Sequence, residues 1–181
     1  MPANVNFLAG ASDSPIAKLT GFALATLSDF DDESILNCDD ITPGYTAPEA
    51  FNGEFGYAAD VFSLGATMYE CCVGRGRILD HDMCEGMMEM LGMDPGLQLP
   101  KEYLTKANLA ATLRWLAEQG WIPESEAIET CLPGVFDILR DCWLPQSQRS
   151  TAQLVCIRSN VTLGAHARLE RARAPKTLRD F

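Results

Sequence analysis

Residues 57–73 constrain this chain more than any other stretch. Val61, Phe62, Leu64, Ala66, Met68 and Tyr69 distribute apolar side chains almost all the way round a helix. A surface helix confines such residues to one stripe, whereas a helix apolar on every side belongs in the middle of a core. Gly74 follows the last apolar turn as a stop signal. Such a helix needs other elements to wrap it, so the expected fold is mainly α around a central buried helix. With 181 residues, 47% hydrophobic and 22% charged, the chain has the size and composition of one globular domain. No apolar run approaches the roughly 18 residues that would mark a transmembrane helix. The first residues carry no secretory signal.

The wrapping elements can be read from local pattern. Residues 5–8 and 16–20 are short β-prone runs. The Ala-Gly-Ala-Ser-Asp-Ser-Pro turn between them predicts a β-hairpin. Residues 28–46 are rich in Asp, Pro and Gly and read as a loop. A Met-rich helix is expected over 83–91, closing at Gly92. Leu109, Leu113 and Leu116 predict a helix over 105–119, with Thr105 as N-cap and Gly120 as stop. A helix over 135–143 follows Pro133 and Gly134. The last begins at Thr151, with Leu154, Val155 and Ile157 on its apolar side. The sum is one small hairpin plus five or six helices, without internal repeats.

Charge and cysteine usage exclude several function classes. The net charge of −11 argues against nucleic-acid binding, which needs cations to displace counterions from phosphates. Six acids and no base lie between residues 28 and 40 (Asp29, Asp31, Asp32, Glu33, Asp39, Asp40), while residues 168–179 hold five bases against Glu170. Both runs read first as solvated surface or frayed tail. The seven cysteines lack paired CxxC spacing, so no metal site is expected. They read as reduced, mostly buried small hydrophobes of a cytoplasmic or nuclear protein.

Five short motifs, in order and at consistent spacing, point to a family. Thr42-Pro43-Gly44-Tyr45-Thr46-Ala47-Pro48-Glu49 resembles the end of a protein-kinase activation segment. Asp60-Val61-Phe62-Ser63-Leu64-Gly65 begins eleven residues past Glu49 and resembles the start of the central helix of the kinase large lobe. Cys142-Trp143 and Arg149 resemble the stretch before the family's final helix. Pro2-Ala3-Asn4-Val5 matches the end of the catalytic loop. Ala17-Lys18-Leu19-Thr20-Gly21-Phe22-Ala23 sits where the family reads Lys-Leu-Thr-Asp-Phe-Gly. The resemblance covers residues 2 to about 158 and implies a partial kinase large lobe of Ser/Thr type over 1–158, without its small lobe. Residues 159–181 are expected to form a basic helix or tail. The stretch from Gly92 to Leu132, with Trp115 and Trp121, is longer than the family leads one to expect. Its tryptophans read first as core and second as interface anchors.

The resemblance carries roles residue by residue. Arg149 is the implied partner of Glu49, since a guanidinium holds a buried carboxylate with two parallel hydrogen bonds and has no neutral state to retreat to. Asp60 would satisfy amide donors rather than do chemistry. Phosphoryl transfer needs metal ions, a lysine on the phosphates and an acid that orients the nucleophile. Here Gly21 stands where the metal-binding Asp belongs, and Ala23 replaces the glycine of that motif. Met1 falls where the catalytic-loop lysine would be, after the catalytic Asp. Only Asn4 remains of that constellation, and one neutral amide is a poor Mg²⁺ site.

The implied function is therefore an inactive, pseudokinase-like binding or scaffold module with no cofactor. It would engage a protein partner, or itself, through the face carrying Val5, Phe7, Leu19, Phe22 and Leu24, which the small lobe would otherwise cover. The alternative is a truncated gene model of a Ser/Thr kinase, whose small lobe is encoded upstream and which phosphorylates protein with ATP. Thr42 before Pro43 favours it, although Ile41 replaces the usual Gly.

Overall fold

The computed structural model describes residues 4–8, 16–25, 42, 44–54, 56–73, 88, 92, 94, 107–108, 111–112, 115 and 126–173. Two strands and four α-helices lie among them: β1 (Val5–Leu8), β2 (Ile16–Leu19), α1 (Tyr57–Val73), α2 (Glu126–Cys131), α3 (Val135–Trp143) and α4 (Ala152–Arg173). The described chain is mainly helical, and none of its helices is long and apolar enough to cross a membrane.

β1 and β2 form the expected antiparallel hairpin, with Val5 opposite Leu19, Asn6 opposite Lys18, Phe7 opposite Ala17 and Leu8 opposite Ile16. Partners across an antiparallel pair share a face. One face is therefore Val5, Phe7, Ala17 and Leu19, wholly apolar, and the other mixes Asn6 and Lys18 with Leu8 and Ile16. Both strands are largely exposed.

The core lies between α1 and α3. Val61, Phe62, Ala66 and Tyr69 of α1 meet Ile138, Leu139, Cys142 and Trp143 of α3, with Ile128 of α2, Val155 of α4 and Ala47 and Ala50 of the preceding loop packed around them. The Trp143 ring is the hinge of the contact: Tyr69 meets it edge-on with centroids 5.6 Å apart, and Phe62 tilts against it at 6.4 Å. Such pairs add about 0.5–1.5 kcal/mol beyond their area. Gly65 is what lets the helices approach. A Cβ built there would lie 2.6 Å from Cys142 Cβ and 3.1 Å from Trp143 Nε1, so no larger residue fits without moving a helix.

α1 and α3 span the residues that pattern predicts, and the Thr151 hydroxyl accepts from Leu154 N–H at 3.2 Å, starting α4 where expected. Three expectations need correction. α1 is not buried on every side, because Leu64 faces outward; its packing partners cover a broad arc rather than the full circumference. In α4 only Val155 of the expected apolar side is buried, while Leu154 and Ile157 are 45% and 52% exposed. The inward side is held by polar groups instead: Arg158 pairs with Asp141, and His166 Nε2 donates to the Pro133 carbonyl at 3.0 Å. Finally, the cysteines whose burial is described are mostly exposed rather than buried. Of those described as free, Cys71, Cys72 and Cys156 are exposed and only Cys142 is buried. Cys71 and Cys72 occupy the last turn of α1, and Cys156 lies on the outward side of α4.

α4 runs without a break through residues 158 and 159 to Arg173. α2 is a six-residue helix that sequence pattern does not announce, since one and a half turns are too few for a periodicity. Within 83–91 and 105–119, Met88, Ala107, Asn108, Ala111, Thr112 and Trp115 are helical, and Met88 and Thr112 are buried. The rest of those segments, the acidic run, Trp121 and residues 174–181 lie outside the described residues.

Candidate functional site

The residues singled out by sequence fall into two groups. The first is built around Arg149. Pro48 begins a 3₁₀ helix, Pro48–Asn52, and its fixed φ and missing N–H suit a first helical position. This turn carries Glu49 into the protein. From the far side, a second 3₁₀ turn, Gln146–Gln148, delivers Arg149. The two side chains, 8% and 0% exposed, meet as a fork: Nη1 donates to Glu49 Oε1, and Nη2 donates to Oε2 at 3.2 Å. The guanidinium then spends its other donors on backbone, with Nη1 on the Ala58 carbonyl at 2.7 Å and Nε on the Leu144 carbonyl at 3.0 Å. Its plane lies over Phe62, 5.2 Å from the ring centroid. One arginine thus ties the 42–54 loop, the first turn of α1 and the end of α3 together.

The loop is pinned by further bonds. Thr46 Oγ1 donates to the Thr42 carbonyl at 2.9 Å, and Ser63 Oγ to the Tyr45 carbonyl at 2.6 Å. Ala47 and Pro48 are buried in the core. Asp60 departs from expectation. It is exposed in the first turn of α1, and no hydrogen bond or ion pair joins it to a described residue, so it satisfies no side-chain-bound amide. Although the residue as a whole is exposed, desolvation by the atoms around its carboxyl holds that group above the usual Asp value.

The second group sits at the base of the hairpin. Thr20 N–H and Oγ1 both donate to the Asn4 carbonyl, at 2.9 and 3.3 Å, and Asn6 Nδ2 donates to Thr20 Oγ1 at 3.3 Å. These bonds bring Asn4 beside Gly21, which adopts a left-handed conformation (φ 78°, ψ 38°). A Cβ at Gly21 would lie 2.9 Å from Asn4 Oδ1. Phe22 and Ala23 follow in a short 3₁₀ turn and are exposed. The two positions that sequence aligned with metal ligands are therefore neighbours in space, but they offer one amide and no carboxylate. Among the described residues no three His, Cys, Asp or Glu side chains group as metal ligands do.

Among the described residues, two buried polar atoms that the sequence reading did not single out, Glu70 Oε2 and Trp143 Nε1, have no hydrogen-bond partner. An acid inside an otherwise apolar helix was the available signal for the first. Cys142 is fully buried, and burial pushes its thiol up to about 11 despite the opposing effect of the Arg149 charge. Chemically, the first group is a structural clamp, and the second is a small polar corner beside an open apolar face. No protein-family model, no curated protein and no solved structure matches the chain.

Proposed function

We propose that this chain is a protein-kinase-like large lobe that binds a protein partner and does not transfer phosphate. The observation that carries the reading is Gly21 beside Asn4. Phosphoryl transfer relies on divalent metal to neutralise developing charge, and Mg²⁺ takes carboxylates and phosphate oxygens as ligands. A glycine in contact with a neutral amide supplies neither the charge nor the second ligand. The likeness to kinases itself is supported by the Glu49–Arg149 fork, which sets the activation-segment motif against the helical body as the resemblance implies. The exposed hairpin beside the degenerate corner is the surface we assign to the partner. The free thiols suit a cytoplasmic or nuclear setting.

Titration with millimolar Mg-ATP tests the reading. Thermal shift and calorimetry should show nothing beyond the effect of added salt. Saturable binding with a dissociation constant below about 1 mM, roughly 4 kcal/mol, would overturn it. It would favour instead a Ser/Thr kinase completed by an upstream segment.

A further inference from the structure

α4 turns its polar groups inward and its apolar ones out. Towards the body, Val155 is buried, Arg158 pairs with Asp141 and His166 donates to the Pro133 carbonyl. Leu154, Ile157 and Val161 are 45%, 52% and 66% exposed. With Gly164 they follow steps of three, four and three residues, which at 3.6 residues per turn keeps all four within an arc of about 80°. That alternation is the seam along which one helix packs on another. A helix face meant only for water has no need of it.

Gly164 says what kind of surface the seam fits. Glycine is a poor helix former, and inside a long helix it calls for a packing reason. At Gly65 the reason is α3, whose Cys142 fills the space a side chain would need. At Gly164 the described residues supply none, since a Cβ there would meet only Arg168 Nη1, at 3.9 Å. The seam therefore carries an open notch beside three large apolar side chains. It also matches itself when reversed. Ile157 and Val161 lie equally far on either side of Ser159, and so do Leu154 and Gly164. In an antiparallel pair, Ile157 meets Val161 of the second copy at the same level at which Leu154 enters the notch at its Gly164. Charge does not oppose the approach of the two helices. Residues 142–169 hold no Asp or Glu in a chain with 25, and two of their three arginines, Arg149 and Arg158, are already paired with Glu49 and Asp141.

We propose that α4 packs antiparallel against α4 of a second copy of this chain, through Leu154, Ile157, Val161 and Gly164. A two-fold contact requires a surface complementary to itself, and large opposite small in both directions meets that condition. So short a seam falls below the roughly 1,000 Å² of lasting complexes, and the dimer is a transient one. The contact uses a different surface from the hairpin and does not rest on the function proposed above.

Sedimentation equilibrium on the full chain, from low micromolar to about 500 µM, should show a reversible monomer–dimer equilibrium. Ile157→Glu alone and Val161→Lys alone should each weaken it by more than about tenfold, because an unpaired charge then enters the seam. Both positions are exposed in the single chain, so the circular dichroism spectrum should be retained. Mixing the two variants should restore association, since the antiparallel register sets the new Glu against the new Lys and leaves the other Ile157–Val161 level intact. A parallel pair would set each residue against its own copy and gain nothing from mixing. Leu163→Glu, on the opposite side of the helix from Leu154, should leave the equilibrium unchanged. A monomer throughout, a dimer that survives Val161→Lys, or a mixture that stays monomeric would each overturn the proposal.

Discussion

Arg149 and Phe7 belong to regions of opposite construction. Arg149 has no exposed side-chain surface and touches three segments, through a carboxylate, two carbonyls and an aromatic ring. Phe7 is 69% exposed on a two-stranded hairpin that, among the described elements, packs substantially only strand on strand. An isolated two-stranded hairpin is marginally stable at best, whereas a helical core with a clamped loop stands by itself. Stability is therefore concentrated in the body, and the surface assigned to a protein partner in the hairpin. Substitutions should separate the two.

The largest effect is expected at the clamp. Arg149→Ala leaves Glu49 buried without a cation, which typically costs about 3–5 kcal/mol, out of a total of about 5–15 kcal/mol for a domain. The variant should melt far below wild type or express poorly. A melting temperature within a degree or two of wild type would break the comparison, because the body would then not depend on its clamp.

Gly65→Ala comes next. The added methyl meets Cys142 at the root of its side chain rather than at a flexible tip, so α1 and α3 must separate. Overpacking of this kind costs about 1–3 kcal/mol, readable as a lower denaturation midpoint at unchanged slope. A variant as stable as wild type would show that the α1–α3 contact is looser than the structure has it.

A smaller effect concerns pH. Because burial raises the Asp60 carboxyl in the folded state, the native protein holds that proton more tightly than the unfolded chain. Stability from this group is then greatest below the ordinary Asp value and falls as pH rises through the raised one. Asp60→Asn should give a slight gain in melting temperature at neutral pH, and the gain should vanish in acid. A gain that persists in acid would exclude this cause.

The smallest effect on stability is expected at the hairpin itself. Phe7→Glu with Leu19→Glu alters exposed residues that the body does not pack against, so body stability should stay within about 0.5 kcal/mol. A large loss would mean that hairpin and body fold as one unit.

Sequence by itself determined the elements with a strong local cause. The hairpin follows from two β-prone runs around a turn, α1 from its apolar density, and α4 from the Thr151 cap. The Glu49–Arg149 pair was legible because a buried carboxylate 100 residues from its arginine belongs to a motif set with ordered spacing. Only the tertiary structure decided which sides these elements present. The composition of α4 puts Leu154, Val155 and Ile157 together, yet Leu154 and Ile157 are exposed, while Arg158 and His166 of the same helix meet Asp141 and the Pro133 carbonyl. Glu70 is buried and Leu64 exposed on the same helix, an exchange that hydrophobicity alone would reverse. The adjacency of Asn4 and Gly21 rests on strand register and the Thr20 bonds. Local pattern sets whether a segment is helix or strand, because that choice depends on nearby residues. Which face is buried depends on the partner that arrives from elsewhere in the chain.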